Sequence, residues 1–320
     1  MPVPRITVGV PVYKGAAQVS DALACLQQQT FEEFEVIISV DGADHETADA
    51  CRPFLSDQRF RMTVQPERLD WFGNMNWILA QGSQEFFCYR QHDDTTSPEF
   101  FRTLIDAADS QPGAAAIFAD CQWRGTRNDI EIAPTIMGAP LTRMAQYIEE
   151  LPAAPVRGLI RRDALRQAGP IRHDEFRGLT QVFCWLAKLL RWGAFIRVPF
   201  PIYYRLDHAE NFYKSWHDWP EAKIRAAWTT MFTGLLDAAI PLCRTAQERA
   251  FMLHLILDRV TAFRPNRILY LYKPTNDPQV CGELIGECFA RLHHERQTNM
   301  IDDWDFPELS AFAAVLSGRS

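Results

Sequence analysis

Short apolar segments alternate with amphipathic ones along the first two thirds of the chain. The apolar segments, such as Glu35 to Val40, are nearly continuous rather than interrupted by polar residues. Such runs are typical of parallel strands that helices cover on both faces. The amphipathic segments, such as Ser20 to Gln29, repeat their apolar residues at helical spacing. The order strand, helix, strand, helix within the first 55 residues predicts an α/β fold with a mostly parallel sheet.

The same patterns place further elements along this part of the chain. The predicted strands cover 6–13, 35–40, 61–64, 86–90, 114–119 and 195–204. The predicted helices cover 20–29, 46–55, 71–80, 98–110 and 180–192. Residues 124–140 combine glycine, proline and mixed charge, which predicts a long loop or a pair of edge strands.

From Trp216 onwards the pattern changes to longer helical periodicities. Prolines separate these segments, and the predicted helices cover 220–240, 245–263, 280–296 and 307–317. We therefore expect two domains, an α/β domain over residues 1–212 and a helical extension over residues 213–320. The extension is expected to supply a homodimer interface or one side of the site.

Composition and charge narrow the class of protein. The chain has 320 residues, 47% hydrophobic and 23% charged, which is typical of a folded globular protein. A net charge of −7, with no Lys/Arg run longer than two, gives no basic surface for nucleic acid. The eight scattered cysteines form no Cys-x-x-Cys pair, as expected for reduced thiols in a cytoplasmic protein. No signal-peptide pattern and no apolar run near ~20 residues is present, so we expect no transmembrane segment.

Candidate chemistry is concentrated after the apolar strand 86–90. The strand leads into Asp93 and Asp94, and a helix is predicted to follow, with Ser97 as its N-cap and Pro98 at its first position. Open α/β sheets bind ligands at the carboxyl ends of their parallel strands. Paired carboxylates there suit Mg²⁺ or Mn²⁺ bound together with a substrate phosphate. The alternative is that the two aspartates only solvate a turn.

Five short motifs in order resemble the inverting nucleotide-sugar glycosyltransferases of the GT-A fold, family 2. They span roughly residues 6–211 and are Val10-Pro11-Val12-Tyr13, Ser39-Val40-Asp41-Gly42-Ala43 with Thr47, Gln91-His92-Asp93-Asp94 through Pro98, Gly158-Leu159-Ile160-Arg161-Arg162 through Gly169-Pro170, and Tyr204-Arg205 with His208 and Asn211. The resemblance implies a Rossmann-like, mostly parallel sheet flanked by helices, followed by a C-terminal helical extension. It also implies a nucleotide-sugar donor, with a UDP-sugar as the expected one.

The resemblance assigns the metal and diphosphate to the end of the fourth strand. It implies that Asp94 ligates the metal, that Asp93 contacts the donor ribose or shares the metal, and that His208 completes the shell. A divalent cation would neutralise the charge that grows on the diphosphate leaving group. Gln91 stands where the family has its first acid. We therefore expect Asp94 and His208 to lie within reach of one metal ion.

The resemblance places the nucleotide base at the second strand. Asp41 would accept a ring N–H, while Pro11 and Tyr13 would shape the base pocket. Asn74 and Asn76 lie where the family has an Arg-Asn pair near the donor, with Met75 in the arginine's place. The local alternatives are a turn for Asp41, packing for Tyr13 and helix capping for the asparagines.

The catalytic base departs from the family pattern. An inverting transfer needs a base for the proton of the acceptor hydroxyl, and the family carries an acidic pair where this chain has Thr180-Gln181. Asp174 and Glu175 are the nearest acids, and either could serve if the loop brings it to the acceptor side of the metal. The alternative is a structural acid, because the family often has an acid near Glu175 that caps the chain or pairs with an arginine.

The predicted function is transfer of a hexose from a nucleotide sugar to a carbohydrate or other hydroxyl acceptor. The alternative is a catalytically degenerate module that binds nucleotide sugar or glycan. A nucleotidyltransferase is disfavoured because Lys14-Gly15-Ala16 is a poor phosphate loop.

Overall fold

The computed structural model describes residues 3–176, 178, 180–209, 211–261, 278–302 and 307. The chain divides into two compact units. The first consists of Met1–Met137, Pro152–Gly178 and Trp192–Ala209, and the second of Gly138–Leu151, Leu179–Arg191 and Glu210–Ser320. The predicted last helix, apart from residue 307, lies outside the described residues.

A nine-stranded sheet forms the centre of the first unit. Its strands, in chain order, are β1 Ile6–Val12, β2 Phe34–Val40, β3 Phe60–Val64, β4 Phe86–Tyr89, β5 Thr95–Thr96, β6 Ala114–Gly125, β7 Ile130–Glu131, β8 Leu159–Arg161 and β9 Ala194–Asp207. The helices of both units are α1 Val19–Gln27, α2 His45–Cys51, α3 Asp70–Gln81, α4 Phe100–Ser110, α5 Pro140–Glu150, α6 Arg162–Ala168, α7 Gln181–Leu190, α8 Glu221–Ala239, α9 Ala246–Thr261 and α10 Pro278–Gln297.

The strands lie in the order β3-β2-β1-β4-β8-β6-β9-β5, with β7 on the edge of β6. The four strands at one side, β3, β2, β1 and β4, are all parallel. Every residue of β1 is buried, and Val8 and Val36 are fully excluded from solvent. Burial on both faces explains why these strands have no alternating polar positions. The predicted α/β fold with helices around a largely parallel sheet is confirmed.

The segment that follows Asp94 differs from the prediction. α4 begins at Phe100 after Glu99, so Ser97 is not its N-cap and Pro98 is not its first residue. Thr95–Thr96 instead forms β5, which pairs antiparallel with Tyr203 and Tyr204 of β9. The carbonyls of Ser97 and Pro98 accept hydrogen bonds from Gln29 and Thr30, and a turn at residues 98 and 99 leads into the helix.

This β5–β9 pairing positions the later part of the site. β9 has a register shift against β6, where Ala119 pairs with Val198 but Asp120 pairs with Ile202. After the shift, β9 runs beside β5 and ends at Asp207, immediately before His208. The segment 124–140 contributes the short edge strand β7 and a bridge from Ile136 to Phe195, in keeping with the edge-strand alternative.

The second unit is helical and contains α5 and α7 to α10. Trp228, Phe232 and Leu235 of α8 are buried, and Lys188 of α7 forms a 2.7 Å ion pair with Asp237 of α8. The predicted helices 220–240, 245–263 and 280–296 correspond to α8, α9 and α10, with residues 262 and 263 outside the described residues. The predicted boundary at residue 212 stays a prediction, and the structure groups α5 and α7, which precede it, with the second unit. None of the described helices has the length and apolar character needed to cross a membrane.

Candidate active site

The predicted site residues follow three neighbouring strands. β1 lies between β2 and β4 and is parallel to both, so the carboxyl ends of the three strands meet at one edge of the sheet. The loops after β1 and β4 are also close, since a Cβ added to Gly15 would lie 2.6 Å from Cδ2 of His92. Tyr13, Asp41 and Asp93 are therefore brought to the same edge, as the motifs predict.

An open cleft of about 620 Å³ lies at the ends of β1 and β2. Its lining comes from the loops after β1, β2 and β3 and from the first turn of α2, and comprises Tyr13, Lys14, Ala16, Ala17, Asp41, Gly42, Ala43, Asp44, Glu46, Thr47, Pro66, Glu67 and Arg68. Pro11 is buried inside β1, opposite Ser39 of β2, and is not part of this lining. The strand thus runs through Pro11 to Val12, one residue short of the predicted end at residue 13.

Asp41 is a buried carboxylate at the wall of this cleft, with 2% of its surface exposed. Its Oδ1 accepts a 2.6 Å hydrogen bond from the backbone N–H of Leu69. Gly42 follows with φ of 73°, a turn conformation that glycine adopts without strain. Burial raises the pKa of Asp41, an effect that the Leu69 N–H and the charge of Arg68 oppose. A ligand N–H that bonds to this carboxylate would therefore stabilise its charged form.

Tyr13 is half-buried beside Asp41 and is stacked by a cation. The guanidinium carbon of Arg68 lies 3.6 Å from the centroid of the Tyr13 ring. The loop carrying Lys14 is fixed because the Lys14 N–H donates to Asp44 and the Gly15 N–H donates to Thr47. Arg68 was not predicted, since it is an exposed residue in a loop without a motif.

Asp93 and His208 converge after β4 and β9. Asp93 Oδ2 lies 3.1 Å from His208 Nε2, although 115 positions separate the two residues. The side chain of Asp93 is 8% exposed and that of His208 is 25% exposed. His208 thus contacts Asp93, whereas the motifs predict that it lies with Asp94 around one metal ion.

Asp94 faces a different set of partners. Its Oδ1 accepts a 3.2 Å hydrogen bond from the Leu206 N–H, and its Oδ2 lies 3.7 Å from Nε of Arg157. Arg157 is itself buried, and its Nη2 donates to Oε1 of Gln91. Burial and the adjacent charge of Asp93 raise the pKa of Asp94, and Arg157 acts in the opposite direction. Asp94 therefore joins the loop after β4 to β9 and to Arg157, a residue that no local motif marks.

Carboxylate and imidazole groups are suitable ligands for a divalent cation. Within the described residues, no group of three or more His, Cys, Asp or Glu side chains is arranged to hold a metal ion. Asp93 and His208 nevertheless fit two neighbouring positions of one shell, because their ligand atoms are 3.1 Å apart and both side chains retain some exposure. Mg²⁺ and Mn²⁺ sites commonly take their other ligands from water and substrate phosphates.

α3 connects these strand ends to the segment that carries the predicted base. Asn76 clamps the backbone of Ile171, donating to its carbonyl at 2.7 Å and accepting from its N–H at 2.9 Å. Asn74 is buried and donates to the Ser39 carbonyl. Both asparagines thus bind the protein's own backbone, and the predicted donor contact of Asn76 stays a prediction.

The predicted bases lie beyond Ile171 in the same segment. Asp174 accepts a hydrogen bond from the Phe176 N–H at 2.8 Å, and Glu175 is exposed. His173 lies 2.6 Å from Asp70, the first residue of α3. No sequence motif predicts this His173–Asp70 pair, because the two residues are 103 positions apart.

Comparisons with known proteins agree on the fold. A fragment of TarS from S. aureus, solved in complex with UDP-GlcNAc, superposes with a TM-score of 0.68 at 15% identity over 90% of this chain and 81% of the fragment. The mannosyltransferase PcManGT from Pyrobaculum calidifontis, solved with GDP-Man and Mn²⁺, gives a TM-score of 0.55 at 14% identity, covering 99% of this chain and 80% of that one. These likenesses confirm the GT-A fold.

Sequence comparisons give the family. A GalNAc(5)-diNAcBac-PP-undecaprenol beta-1,3-glucosyltransferase from Campylobacter jejuni is 26% identical over 128 residues, which is 37% of this chain and 38% of that protein. The glycosyltransferase candidate EpsH from Bacillus subtilis is 27% identical over 215 residues, 62% of this chain and 60% of EpsH. The chain thus spans less than two thirds of either curated relative. The model of glycosyl transferase family 2 matches residues 7–169, just over half of the chain. The chain belongs to glycosyl transferase family 2.

Proposed function

We propose that this protein transfers a sugar from a nucleoside diphosphate donor to a hydroxyl acceptor, with inversion at the anomeric carbon and with a divalent cation. The observation that carries the proposal is the convergence of Asp93 and His208 at 3.1 Å on the same sheet edge as the cleft at Asp41. The end at Asp41 is suited to a nucleotide base, and the end at Asp93 and His208 has ligand groups for a cation and its diphosphate.

In this proposal the nucleotide occupies the cleft at the ends of β1 and β2. Asp41 accepts a ring N–H of the base, and the pair of Tyr13 and Arg68 forms a flat wall beside it. A uracil presents such a ring N–H together with a flat face, so UDP-sugars are the proposed donors. The complexes of TarS with UDP-GlcNAc and UDP support this choice by likeness of fold.

Asp93 and His208 hold the cation, which when bound neutralises charge on the diphosphate leaving group. Asp94 keeps this pair in place through Leu206 and Arg157. The catalytic base that accepts the proton comes from the segment after Ile171, where Asp174 and Glu175 are the acids predicted from sequence.

The compound that receives the sugar is a carbohydrate or another hydroxyl compound, and the cytoplasm is the proposed location. A homodimer through the C-terminal helices stays a prediction that light scattering can test.

Calorimetric titration with UDP, GDP, CDP and dTDP, with and without Mn²⁺, tests the donor site. We expect UDP to bind most tightly and Mn²⁺ to strengthen its binding. Absence of nucleotide binding under both conditions would remove the basis of the proposal.

The second candidate is a module that binds nucleotide sugar without transferring it. The observation in its favour is that α7 begins at Gln181 after Thr180 as its N-cap, with no carboxylate at the family's usual position for the catalytic base. Consumption of UDP-glucose or UDP-N-acetylglucosamine separates the two functions. Tight binding without any consumption over a broad acceptor panel would favour the binding module.

A further inference from the structure

The start of α3 holds a carboxylate–histidine pair that the proposed roles leave unused. Asp70 Oδ2 lies 2.6 Å from His173 Nε2. Asp70 has φ of 61°, a left-handed conformation that non-glycine residues rarely adopt. Its Oδ1 accepts hydrogen bonds from the N–H groups of Phe72 and Gly73 at 2.8 and 3.1 Å. The carboxylate is thus held by the first turn of the helix, with its second oxygen directed at the imidazole.

The histidine is also held from more than one side. The ring of Phe72 lies 5.2 Å from the imidazole, centroid to centroid. Asn76, one turn further along α3, clamps the backbone of Ile171 through two hydrogen bonds. α3 therefore fixes both the imidazole and the segment that carries it. The side chain of His173 remains 67% exposed, so its ring is accessible to a substrate.

The start of α3 also lies at the proposed donor site. Leu69, the residue before α3, donates its N–H to Asp41 at the end of β2. Trp71 donates its indole N–H to the hydroxyl of Tyr89, the last residue of β4. Because β1 lies between β2 and β4, the first turn of α3 reaches from the nucleotide cleft to the strand that leads to Asp93. Strand spacing makes this span about 10 Å.

The pKa shifts of Asp41 and Tyr89, which both contact the start of α3, agree with this placement. Burial raises the pKa of Asp41, and the charge of Asp70 adds to the increase. Burial likewise raises the pKa of Tyr89, and the charge of Asp93 adds to it. Asp70 is therefore close to the nucleotide end, and Tyr89, which α3 contacts, is close to the cation end.

We propose that His173 is the catalytic base of the transfer and that Asp70 is the residue that positions it. This inference rests on the proposed function and names the base that the missing acidic pair leaves open. With Nε2–H donated to Asp70, the lone pair of Nδ1 is free to take a proton, the arrangement by which a carboxylate orients a histidine base.

The step balances as a single displacement. Nδ1 of His173 takes the proton of the acceptor hydroxyl, and the oxygen uses its electron pair to form the bond to the anomeric carbon. The bond from that carbon to the diphosphate oxygen breaks, and its electron pair leaves with the nucleoside diphosphate. Asp70 stabilises the imidazolium until its proton returns to solvent.

The test compares His173→Gln, Asp174→Asn and Glu175→Gln, with His254→Gln on the exposed face of α9 as the matched control. UDP-glucose and UDP-N-acetylglucosamine are the donors, water and free monosaccharides are the acceptors, and UDP release and UDP affinity are both measured. We expect His173→Gln to lower kcat about 100-fold or more, which is the usual effect of losing a general base. UDP affinity should change less than threefold, and the His254→Gln control should keep the kcat of the wild type. Asp174→Asn and Glu175→Gln test the competing carboxylate bases and should lower kcat less than His173→Gln does.

Two further variants separate a catalytic role of His173 from a purely structural one. Asp70→Asn keeps an oxygen that can accept from the helix N–H groups but loses the charge that orients His173, so we expect a lower kcat at unchanged KM. His173→Ala should regain activity when imidazole is added, because the side chain it lacks is largely exposed.

The outcomes that overturn the inference differ from those that overturn the proposed function. An active His173→Gln beside an inactive Asp174→Asn or Glu175→Gln would assign the base to a carboxylate and reject His173. Equal losses of UDP affinity and kcat in His173→Gln, without rescue by imidazole, would show a structural role and also reject it. A wild-type protein that binds UDP but never consumes a donor would reject the proposed function itself, and the inference with it.

Discussion

The ends of β2 and β4 both bring a buried aspartate to the same sheet edge, yet the two regions are built differently. Asp41 at the β2 end is held by Leu69, 28 residues further on, and borders an open cleft. Asp94 at the β4 end is held by Leu206, 112 residues further on, and faces the buried Arg157. The β2 end is thus a local turn open to a ligand, whereas the β4 end depends on distant parts of the chain. Substitutions should therefore act mainly on binding at the first end, and on stability as well as chemistry at the second.

The largest expected effect is at Asp93. Asp93→Asn removes the charge beside His208 that the proposed cation needs, so turnover of the donor should fall about 100- to 1,000-fold. The protein should remain folded, because an amide fills the same volume. Asp21→Asn, an exposed carboxylate on α1, is the matched control and should keep wild-type turnover. Turnover of Asp93→Asn within threefold of wild type would remove Asp93 from the active site.

Arg157→Met is expected to affect the β4 end through stability. It would leave the Asp94 carboxylate buried without the cation that faces it at 3.7 Å. Breaking a buried ion pair from one side typically costs about 3 kcal/mol or more, so the free energy of unfolding in urea should fall by about that amount. Asp94→Asn in the same chain should recover part of the loss, since it removes the unpaired charge. No recovery in the double variant would contradict the pairing of these two residues.

Asp41→Asn, at the β2 end, should raise the stability of the protein, whereas Arg157→Met should lower it. Loss of a hydrogen bond from a ligand N–H to a charged oxygen should weaken UDP binding about tenfold or more. Burial raises the pKa of Asp41 in the folded protein above its pKa in the unfolded chain. Ionisation of this carboxyl therefore lowers stability as the pH rises from the unfolded-chain pKa through the folded-state pKa. The variant should therefore melt at a higher temperature than wild type near neutral pH, and the difference should vanish in acid. A variant that is less stable than wild type at pH 7 would contradict this account.

The smallest effect is expected at Arg68. Arg68→Met removes a cation from the exposed face of the Tyr13 ring, and an exposed cation–π contact is worth about 0.5–1 kcal/mol. The free energy of unfolding should fall by about that amount, and UDP affinity should fall about two- to fivefold because the Tyr13 ring loses the cation that holds it. Arg68→Lys should lie between wild type and Arg68→Met. A loss at Arg68 that exceeds the loss at Asp41 would make the arginine the main contact of the cleft.

The same contrast explains what could be predicted from the sequence. The parallel strands β1, β2 and β4 were predicted correctly, because burial on both faces leaves a continuous apolar run. Asp41 was placed correctly at its strand end because the turn after it is local and ends in Gly42. α5 was not predicted, although Met144, Tyr147 and Ile148 form a buried stripe at helical spacing.

The partners at the β4 end could not be predicted, for physical reasons. Asp93 and Asp94 are adjacent, so their spacing cannot tell which of them faces His208. The pairing of β5 with β9 decides which aspartate faces His208. The sequence pattern predicts a helix start at Ser97 and Pro98 and gives no sign of a strand just before it. Arg157 and the Asp70–His173 pair are joined to their partners only by tertiary contacts, and no short motif carries that information.

The measurement that tests the account most directly is the effect of Mn²⁺ on UDP affinity in wild type, Asp93→Asn and Asp41→Asn. Calorimetry should show that Mn²⁺ tightens UDP binding in the wild type. This increase in UDP affinity on adding Mn²⁺ should vanish in Asp93→Asn. Asp41→Asn should bind UDP more weakly both with and without Mn²⁺, but should keep the increase. A Mn²⁺ effect that persists in Asp93→Asn, or that is absent from the wild type, would contradict the division of the site into a nucleotide end at β2 and a cation end at β4.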